Sequence, residues 1–146
     1  MKTSYYASHA IDPARHIPVG ISLGGVRWKI PYQVGSRVRE LMPEQHMLRE
    51  LRSDPPAFAA AYRAKLDRIG VAAIQRRLAS LQSGDPGKEL ILLCFEHLDK
   101  PGEWCHRRVF ADWWAEQTGE TIPELAEESP VAQQETLPWG KGAWAN

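Results

Sequence analysis

The chain has 146 residues, of which 43% are hydrophobic and 25% charged, and its formal net charge at pH 7 is zero. This length and composition are typical of one globular domain with a single core. The longest strongly apolar run, residues 90–95, is far shorter than the roughly 20 residues that a membrane-spanning helix needs. We therefore expect no membrane partner.

The N-terminal residues and the cysteines indicate the compartment. Residues 1–16 lack the apolar core of a secretory signal, so we expect a cytoplasmic protein. The chain has two cysteines, and because cytosolic thiols stay reduced, a disulfide scaffold is not expected. The excess of basic residues in residues 1–66 suits either a nucleic-acid partner or an ordinary solvated surface.

The first third of the chain reads as short strands and loops. Strands are predicted over residues 2–8 and 19–23, with a loop over residues 12–18 between them. Residues 24–35 combine a glycine pair with a tryptophan and a proline, which predicts an ordered loop. A short helix is predicted over residues 43–52.

Two longer helices are predicted in the middle of the chain. Ser53 or Asp54 caps a helix that begins at Pro55 and ends near Gly70. Apolar residues then repeat at helical spacing from Val71 onward, and a turn cluster ends that helix at residues 83–87.

Residues 89–95 consist of Glu89 and a continuous apolar run over residues 90–95, which predicts a strand covered on both faces, as in the middle of a parallel sheet. A helix follows from about Trp104 to Gln117, and a short strand is predicted over residues 121–125. Strands separated by helices predict a single small layered α/β domain, with a mainly parallel sheet flanked by helices in a Rossmann-like manner. This domain is assigned to residues 1–125, and residues 126–146 to a C-terminal tail, partly flexible or docked through Trp139 and Trp144.

The residues with the most reactive side chains gather where the buried strand leads into the next helix. Cys94 and Glu96 lie at the strand end, and Cys105, His106 and Arg107 lie at the helix start. Ligands of parallel α/β sheets bind beyond the carboxyl ends of the strands. A helix N-terminus beside arginine or histidine stabilises a thiolate and binds anions. The sequence therefore predicts a thiol-containing pocket for an anionic ligand, such as a nucleotide or a nucleic-acid fragment.

The same segment resembles a family signature. The sequence LLCFE at residues 92–96, then Cys105-His106-Arg107 and a helix opening RVFADW, is similar to the bacterial and phage family catalogued as domain of unknown function 488. The early segments TSYY, VGIS and LMP also resemble that family. The resemblance covers residues 1–125, although the loop of residues 96–104 is longer here. It implies an α/β fold and one pocket shared by five residues: Cys94, Glu96, Cys105, His106 and Arg107.

Two functional interpretations follow. In the first, Cys105 is the nucleophile, His106 the base, Arg107 the anion clamp and Glu96 an orienting carboxylate. Arg107 is expected to bind an anion or a carboxylate, and Glu96 is one candidate for that carboxylate. In the alternative, the Cys-His-Arg cluster is structural and the domain is a non-catalytic interaction module. The phosphotyrosine-phosphatase pattern is excluded because Ala111 occupies the position of its arginine.

A redox pair of the two cysteines requires their Cα atoms to lie within about 7 Å. Zinc is a further option, with Cys94, His97, Cys105 and His106 as nearby ligands. Their spacing matches no common zinc framework, and the adjacent Cys105 and His106 are expected to point in different directions. No metal and no other cofactor is therefore predicted.

Trp28 is the tryptophan with a predicted binding role. It lies between Arg27 and Lys29 in the loop of residues 24–35. An exposed ring among basic residues can stack on a base of a nucleotide or of single-stranded nucleic acid.

Overall fold

The computed structural model describes residues 1–127. The part of the predicted tail after residue 127, with Trp139 and Trp144, lies outside the described residues. In chain order the elements are β1 (Lys2–Tyr5), β2 (His16–Gly20), β3 (Ser36–Arg37), a 3-10 turn (Arg39–Leu41), α1 (Gln45–Glu50), α2 (Pro55–Ile69), α3 (Val71–Ser83), β4 (Glu89–Cys94) and α4 (His106–Thr118).

The four strands form one sheet in the order β1, β4, β2, β3, and every neighbouring pair is parallel. β4 pairs with β1 on one side and with β2 on the other, so it lies inside the sheet. Parallel strands need a long crossover connection, and the one from β3 to β4 contains α1, α2 and α3. The predicted α/β domain with a parallel sheet and flanking helices is confirmed.

β4 contributes apolar side chains to both faces of the sheet, as its unbroken apolar run predicts. Leu90 and Leu92 belong to the larger hydrophobic cluster, and Ile91 and Leu93 to a smaller one. Successive side chains of a strand point to opposite faces, so this one strand fills both layers of the core.

The two faces of the sheet are covered differently. All four helices contribute buried residues to the larger cluster, among them Met47, Phe58, Tyr62, Leu66, Ile74, Leu78, Phe110, Trp113 and Trp114. The smaller cluster takes its other members from coil, including Tyr6, Ile11 and Tyr32. The hydroxyl of Tyr32 donates to the carbonyl oxygen of Tyr6 at 2.6 Å. The segment predicted as an ordered loop therefore covers the second face.

The ends of α2 follow from local sequence. The side chain of Asp54 accepts a hydrogen bond from the backbone N–H of Ala57 at 3.2 Å, and Pro55 begins the helix. Of the two predicted caps, Asp54 is the one used. Gly70 joins α2 directly to α3 at a φ of 90°, a conformation that favours glycine. Among the helices of residues 1–127, none is long and apolar enough to cross a membrane.

Three predicted strand positions are wrong in detail. β1 ends at Tyr5 instead of residue 8. β2 occupies His16–Gly20 instead of residues 19–23, because its pairing with β4 starts at His16 opposite Glu89. The predicted loop is correspondingly shorter. The predicted strand over residues 121–125 is reduced to a single bridge between Thr3 and Glu124.

Candidate functional site

Two cysteines meet where β4 ends and α4 begins. Cys94 is the last residue of β4, and Cys105 is the N-cap of α4 after the loop of residues 95–104. This loop leaves and returns to the carboxyl edge of the sheet, where ligands of parallel α/β proteins bind. Both thiols are buried and neither forms a disulfide.

A cavity of about 410 Å³ opens at this edge. Its lining includes Cys94, Glu96, Cys105 and His106, four of the residues that the sequence indicated. Other lining residues are Ser22, Leu23, Arg52, Phe58, Phe95, Glu103 and Trp104. The volume falls within the range of small-molecule sites in proteins.

The imidazole of His106 is fixed by a hydrogen bond to the edge of the sheet. Its Nε2 lies 2.8 Å from the carbonyl oxygen of Ile21, the residue after β2. Because a carbonyl only accepts, Nε2 carries a proton, so in the neutral form of the ring Nδ1 has a free lone pair. Tyr62 packs edge-on against the ring, with the centroids 5.3 Å apart.

The free nitrogen of His106 faces both thiols. Nδ1 is 3.7 Å from Sγ of Cys94 and 3.7 Å from Sγ of Cys105. The expectation that Cys105 and His106 point in different directions is wrong. Cys105 has an extended backbone, with φ −149° and ψ 143°, whereas His106 is already helical. This change of backbone at the helix cap turns the two neighbouring side chains toward one point.

Protons are shared unevenly between the two thiols. The hydrogen bond with Cys105, together with burial, raises the pKa of Cys94 far above its usual range. Burial by itself raises the pKa of Cys105, but hydrogen bonds with Cys94 and His106 outweigh it and bring this pKa down to about 6. These opposite shifts favour the thiolate at Cys105 and the protonated thiol at Cys94.

The thiol of Cys94 also donates to Glu96, with 3.0 Å between Sγ and Oε2. Burial raises the pKa of Glu96, yet hydrogen bonds with the two cysteines, that of Cys94 first, bring it below its ordinary value. The carboxyl group is therefore ionised at neutral pH, and it accepts from the Cys94 thiol.

Arg107 lies behind the thiols and is not among the residues that line the cavity. Its side chain is 0% exposed, and its Nε and Nη2 lie 3.0 Å and 2.6 Å from Oε1 of Glu124. Its carboxylate partner is thus Glu124 and not Glu96, and a role as anion clamp is not supported by its position. Burial lowers the pKa of Arg107, but Glu124 and both thiols give a net rise, so the guanidinium stays charged.

Glu124, the ion partner of Arg107, is a residue whose role sequence reasoning missed. The chain after α4 returns to the edge strand β1, where the N–H of Thr3 donates to Pro123 at 3.0 Å and the N–H of Leu125 donates to Thr3 at 2.8 Å. The hydroxyl of Thr3 also donates to Glu124. The predicted strand over residues 121–125 was the available signal, but the sequence does not tell which edge of the sheet it joins.

An apolar rim of Leu23, Trp28 and Phe95 borders the cavity. Trp28 is 49% exposed, and its ring lies 5.8 Å from the ring of Phe95. Phe95 packs in turn on Tyr6, with 4.9 Å between centroids. Leu23 and Phe95 line the cavity itself, and Trp28 adjoins it through Phe95. The indole of Trp28 therefore has an open face next to the site.

His97, considered as a zinc ligand from the sequence, lies apart from the thiols. Its ring stacks on Tyr5 at 4.3 Å, and its Nε2 is 3.3 Å from the carboxylate of Asp99. The side-chain atoms that do converge are the two Sγ atoms and Nδ1 of His106, all within 4.8 Å of one another.

Comparison of the chain with protein-family models, with curated proteins and with solved structures finds no match. The resemblance to domain of unknown function 488 therefore has no support from these comparisons.

Proposed function

We propose that this protein binds a small ligand in the cavity at the carboxyl end of β4 and reacts with it through the thiolate of Cys105. The observation that carries the proposal is the convergence of the two thiols and Nδ1 of His106 at the cavity wall. A structural cysteine is inert when apolar groups surround it. Cys105 instead has a thiol and an imidazole beside it, with a carboxylate near by.

Cys105 and His106 together supply a nucleophile and a base. Nδ1 of His106 takes the proton of the Cys105 thiol, which gives a thiolate beside an imidazolium. The thiolate attacks an electrophilic carbon of the ligand, and an S–C bond forms as the bond to the leaving group breaks. The imidazolium then returns its proton to the leaving group. Cys94 stays protonated, and its single S–H is shared between Glu96 and the sulfur of Cys105.

The cavity favours a ligand with a flat ring and an acidic group. Trp28 and Phe95 offer ring faces for stacking, and Arg52 in the lining offers a guanidinium for an acidic group. Nucleotides and nucleic-acid fragments combine these two features. Glu96 and Glu103 line the same cavity and repel anions, so the acidic group of the ligand belongs at Arg52.

The resemblance to domain of unknown function 488, which no family model supports, implies a pocket at the same location. Of the five residues that it groups in one pocket, four line the cavity, namely Cys94, Glu96, Cys105 and His106. It supplies no reaction, so the nucleophilic step rests on the contacts of Cys105.

A second candidate function is the interaction module with a structural Cys-His-Arg cluster. Arg107 favours it, because its buried guanidinium ties α4 to the segment that follows through Glu124. The two candidates differ at Cys105, which a purely structural cluster would leave unreactive.

Alkylation of the reduced, metal-free protein separates the two candidates. At neutral pH iodoacetamide should modify Cys105 faster than Cys94, as mapped by peptide mass spectrometry, because thiolates react and thiols do not. Cys105→Ser should remove this modification and keep the circular dichroism spectrum. Equally slow modification of both cysteines, at the rate of global unfolding, would contradict the proposal.

The same reaction tests the ligand class. A nucleoside monophosphate that occupies the cavity should slow the alkylation of Cys105 in a concentration-dependent way. Trp28→Ala should weaken this protection without changing the rate in the absence of nucleotide. Protection that is equal in Trp28→Ala and in the unaltered protein would exclude the apolar rim from ligand binding.

A further inference from the structure

Three soft donor atoms form a triangle at the wall of the cavity. The two Sγ atoms of Cys94 and Cys105 and Nδ1 of His106 lie within 4.8 Å of one another, and both sulfur–nitrogen distances are 3.7 Å. In tetrahedral zinc sites Zn–S is about 2.3 Å and Zn–N about 2.0–2.1 Å, which sets sulfur and nitrogen ligands about 3.6 Å apart. The two sulfur–nitrogen edges of the triangle therefore have the length that such a site requires.

The hydrogen bond behind His106 is a second, independent observation. A histidine that binds a metal donates its other N–H to a carbonyl or a carboxylate, which fixes its tautomer and its orientation. Nε2 of His106 donates to the carbonyl oxygen of Ile21 at 2.8 Å. Ile21 is itself held to the sheet, because its N–H donates to Leu93 at 3.0 Å. The lone pair of Nδ1 is thus aimed at the thiols by the rigid part of the fold.

The geometry points to a binding site for one zinc-class divalent cation on Cys94, Cys105 and His106. Three protein ligands and a fourth position left open for water or substrate are the pattern of catalytic zinc sites. The inference rests on the proposed function in one respect, since it takes the cavity as the side from which a ligand approaches. It names an ion for the same side chains, and because that ion occupies the Cys105 thiolate and Nδ1 of His106, the nucleophilic reaction belongs to the metal-free form.

The charge balance suits a soft dication. Each thiol that binds the ion gives its proton to solvent, so two thiolates neutralise the charge and the imidazole binds as a neutral ligand. Thiolate and imidazole ligands select zinc-class ions over magnesium and calcium, which prefer oxygen. Glu96 adds a carboxylate beside Cys94 at the edge of the cavity.

Cobalt is the probe for this site, because cobalt in zinc sites absorbs visible light. Co²⁺ added to reduced, chelator-treated protein should give the visible bands of tetrahedral cobalt and a thiolate-to-cobalt charge-transfer band. Both should saturate at one equivalent, and Zn²⁺ should abolish them. Zn²⁺ should also protect both cysteines from iodoacetamide.

Single variants assign the ligands. Cys94→Ser and Cys105→Ser should each weaken the charge-transfer band and lower the affinity for cobalt at least tenfold, and His106→Asn should lower that affinity as well. His97→Gln is the matched control, because His97 is a nearby histidine outside the triangle, and it should bind cobalt like the unaltered protein. Circular dichroism verifies that each variant is folded.

Absence of the cobalt bands in the folded, reduced, unaltered protein would overturn the inference. Bands that persist in both cysteine variants would also overturn it, because the ion would then bind elsewhere. If Cys105 of the metal-free protein still reacts selectively with iodoacetamide, the proposed function survives this failure. Conversely, cobalt binding by a protein whose metal-free Cys105 is inert would overturn the proposed function and keep the metal site.

Discussion

His106 organises the candidate site because its two ring nitrogens bind different partners. Nε2 donates to the backbone at Ile21, and Nδ1 faces the sulfur atoms of Cys94 and Cys105. The side chains of Cys105 and His106 converge although the residues are adjacent, because the backbone changes from extended to helical between them. The side-chain directions of residues inside a helix do not hold at its N-cap. For this reason we predicted from the sequence, wrongly, that these two side chains point apart.

The reactivity of Cys105 should depend on the hydrogen-bond donor at residue 94. In the metal-free protein, the alkylation rate of Cys105 should rise with pH through a midpoint near its pKa of about 6, because only the thiolate reacts. Cys94→Ala removes a hydrogen bond that lowers this pKa, so the midpoint should move to higher pH. The measurement is the rate of iodoacetamide modification against pH, with the modified residue mapped.

Cys94→Ser is the matched control for that variant, because serine keeps a donor at nearly the same place. Its midpoint should lie closer to that of the unaltered protein than the midpoint of Cys94→Ala does. Identical midpoints in Cys94→Ala and in the unaltered protein would show that the thiol pair is not coupled.

At the scale of the elements, β4 and α4 place the site, and both could be predicted from local sequence. The apolar run of β4 and the helical spacing of α4 are properties of neighbouring residues, so the strand-to-helix junction was located correctly. The partner of Arg107 could not be predicted, because Glu124 reaches it through the pairing of the segment after α4 with β1. The register of β2 likewise depends on β4, which is distant in sequence.

Loss of the Glu124 carboxylate should destabilise the protein strongly. Glu124→Ala leaves the fully buried guanidinium of Arg107 without its ion partner, and breaking such a pair costs about 3–5 kcal/mol. Because Glu124 is itself 34% exposed, we expect about 3 kcal/mol, the lower end of that range. The measurement is the free energy of unfolding in urea.

Glu116→Ala is the control for Glu124→Ala. Glu116 pairs with Arg63 at 2.8 Å on the surface, and such pairs contribute about 0–1 kcal/mol. If both variants lower the free energy of unfolding by the same small amount, Arg107 is not the buried link between α4 and the segment that follows.

For the whole molecule, composition and periodicity predicted the layered α/β architecture but not how the second face of the sheet is covered. In a layered α/β domain, helices are expected on both faces of the sheet. Instead Tyr32 and its neighbours in the ordered loop pack on Ile91 and Leu93. No periodic pattern marks such a coil layer, because each of its apolar residues is placed by an individual tertiary contact.

The stability of the whole domain should decrease in mild acid because of His16. Burial lowers the pKa of His16, and the charge of Arg15 lowers it further, so the folded state favours the neutral ring whose Nδ1 accepts from the N–H of Asp12 at 2.9 Å. The unfolded chain takes up this proton near pH 6.5, so the contribution of His16 to the free energy of unfolding should be constant above that pH and fall as the pH drops below it. His16→Asn keeps an acceptor but cannot be protonated, and urea unfolding across this range should show a smaller loss than in the unaltered protein. An equal loss in both proteins would mean that the acid sensitivity comes from other groups, and that the N-terminus of β2 tolerates a charged ring.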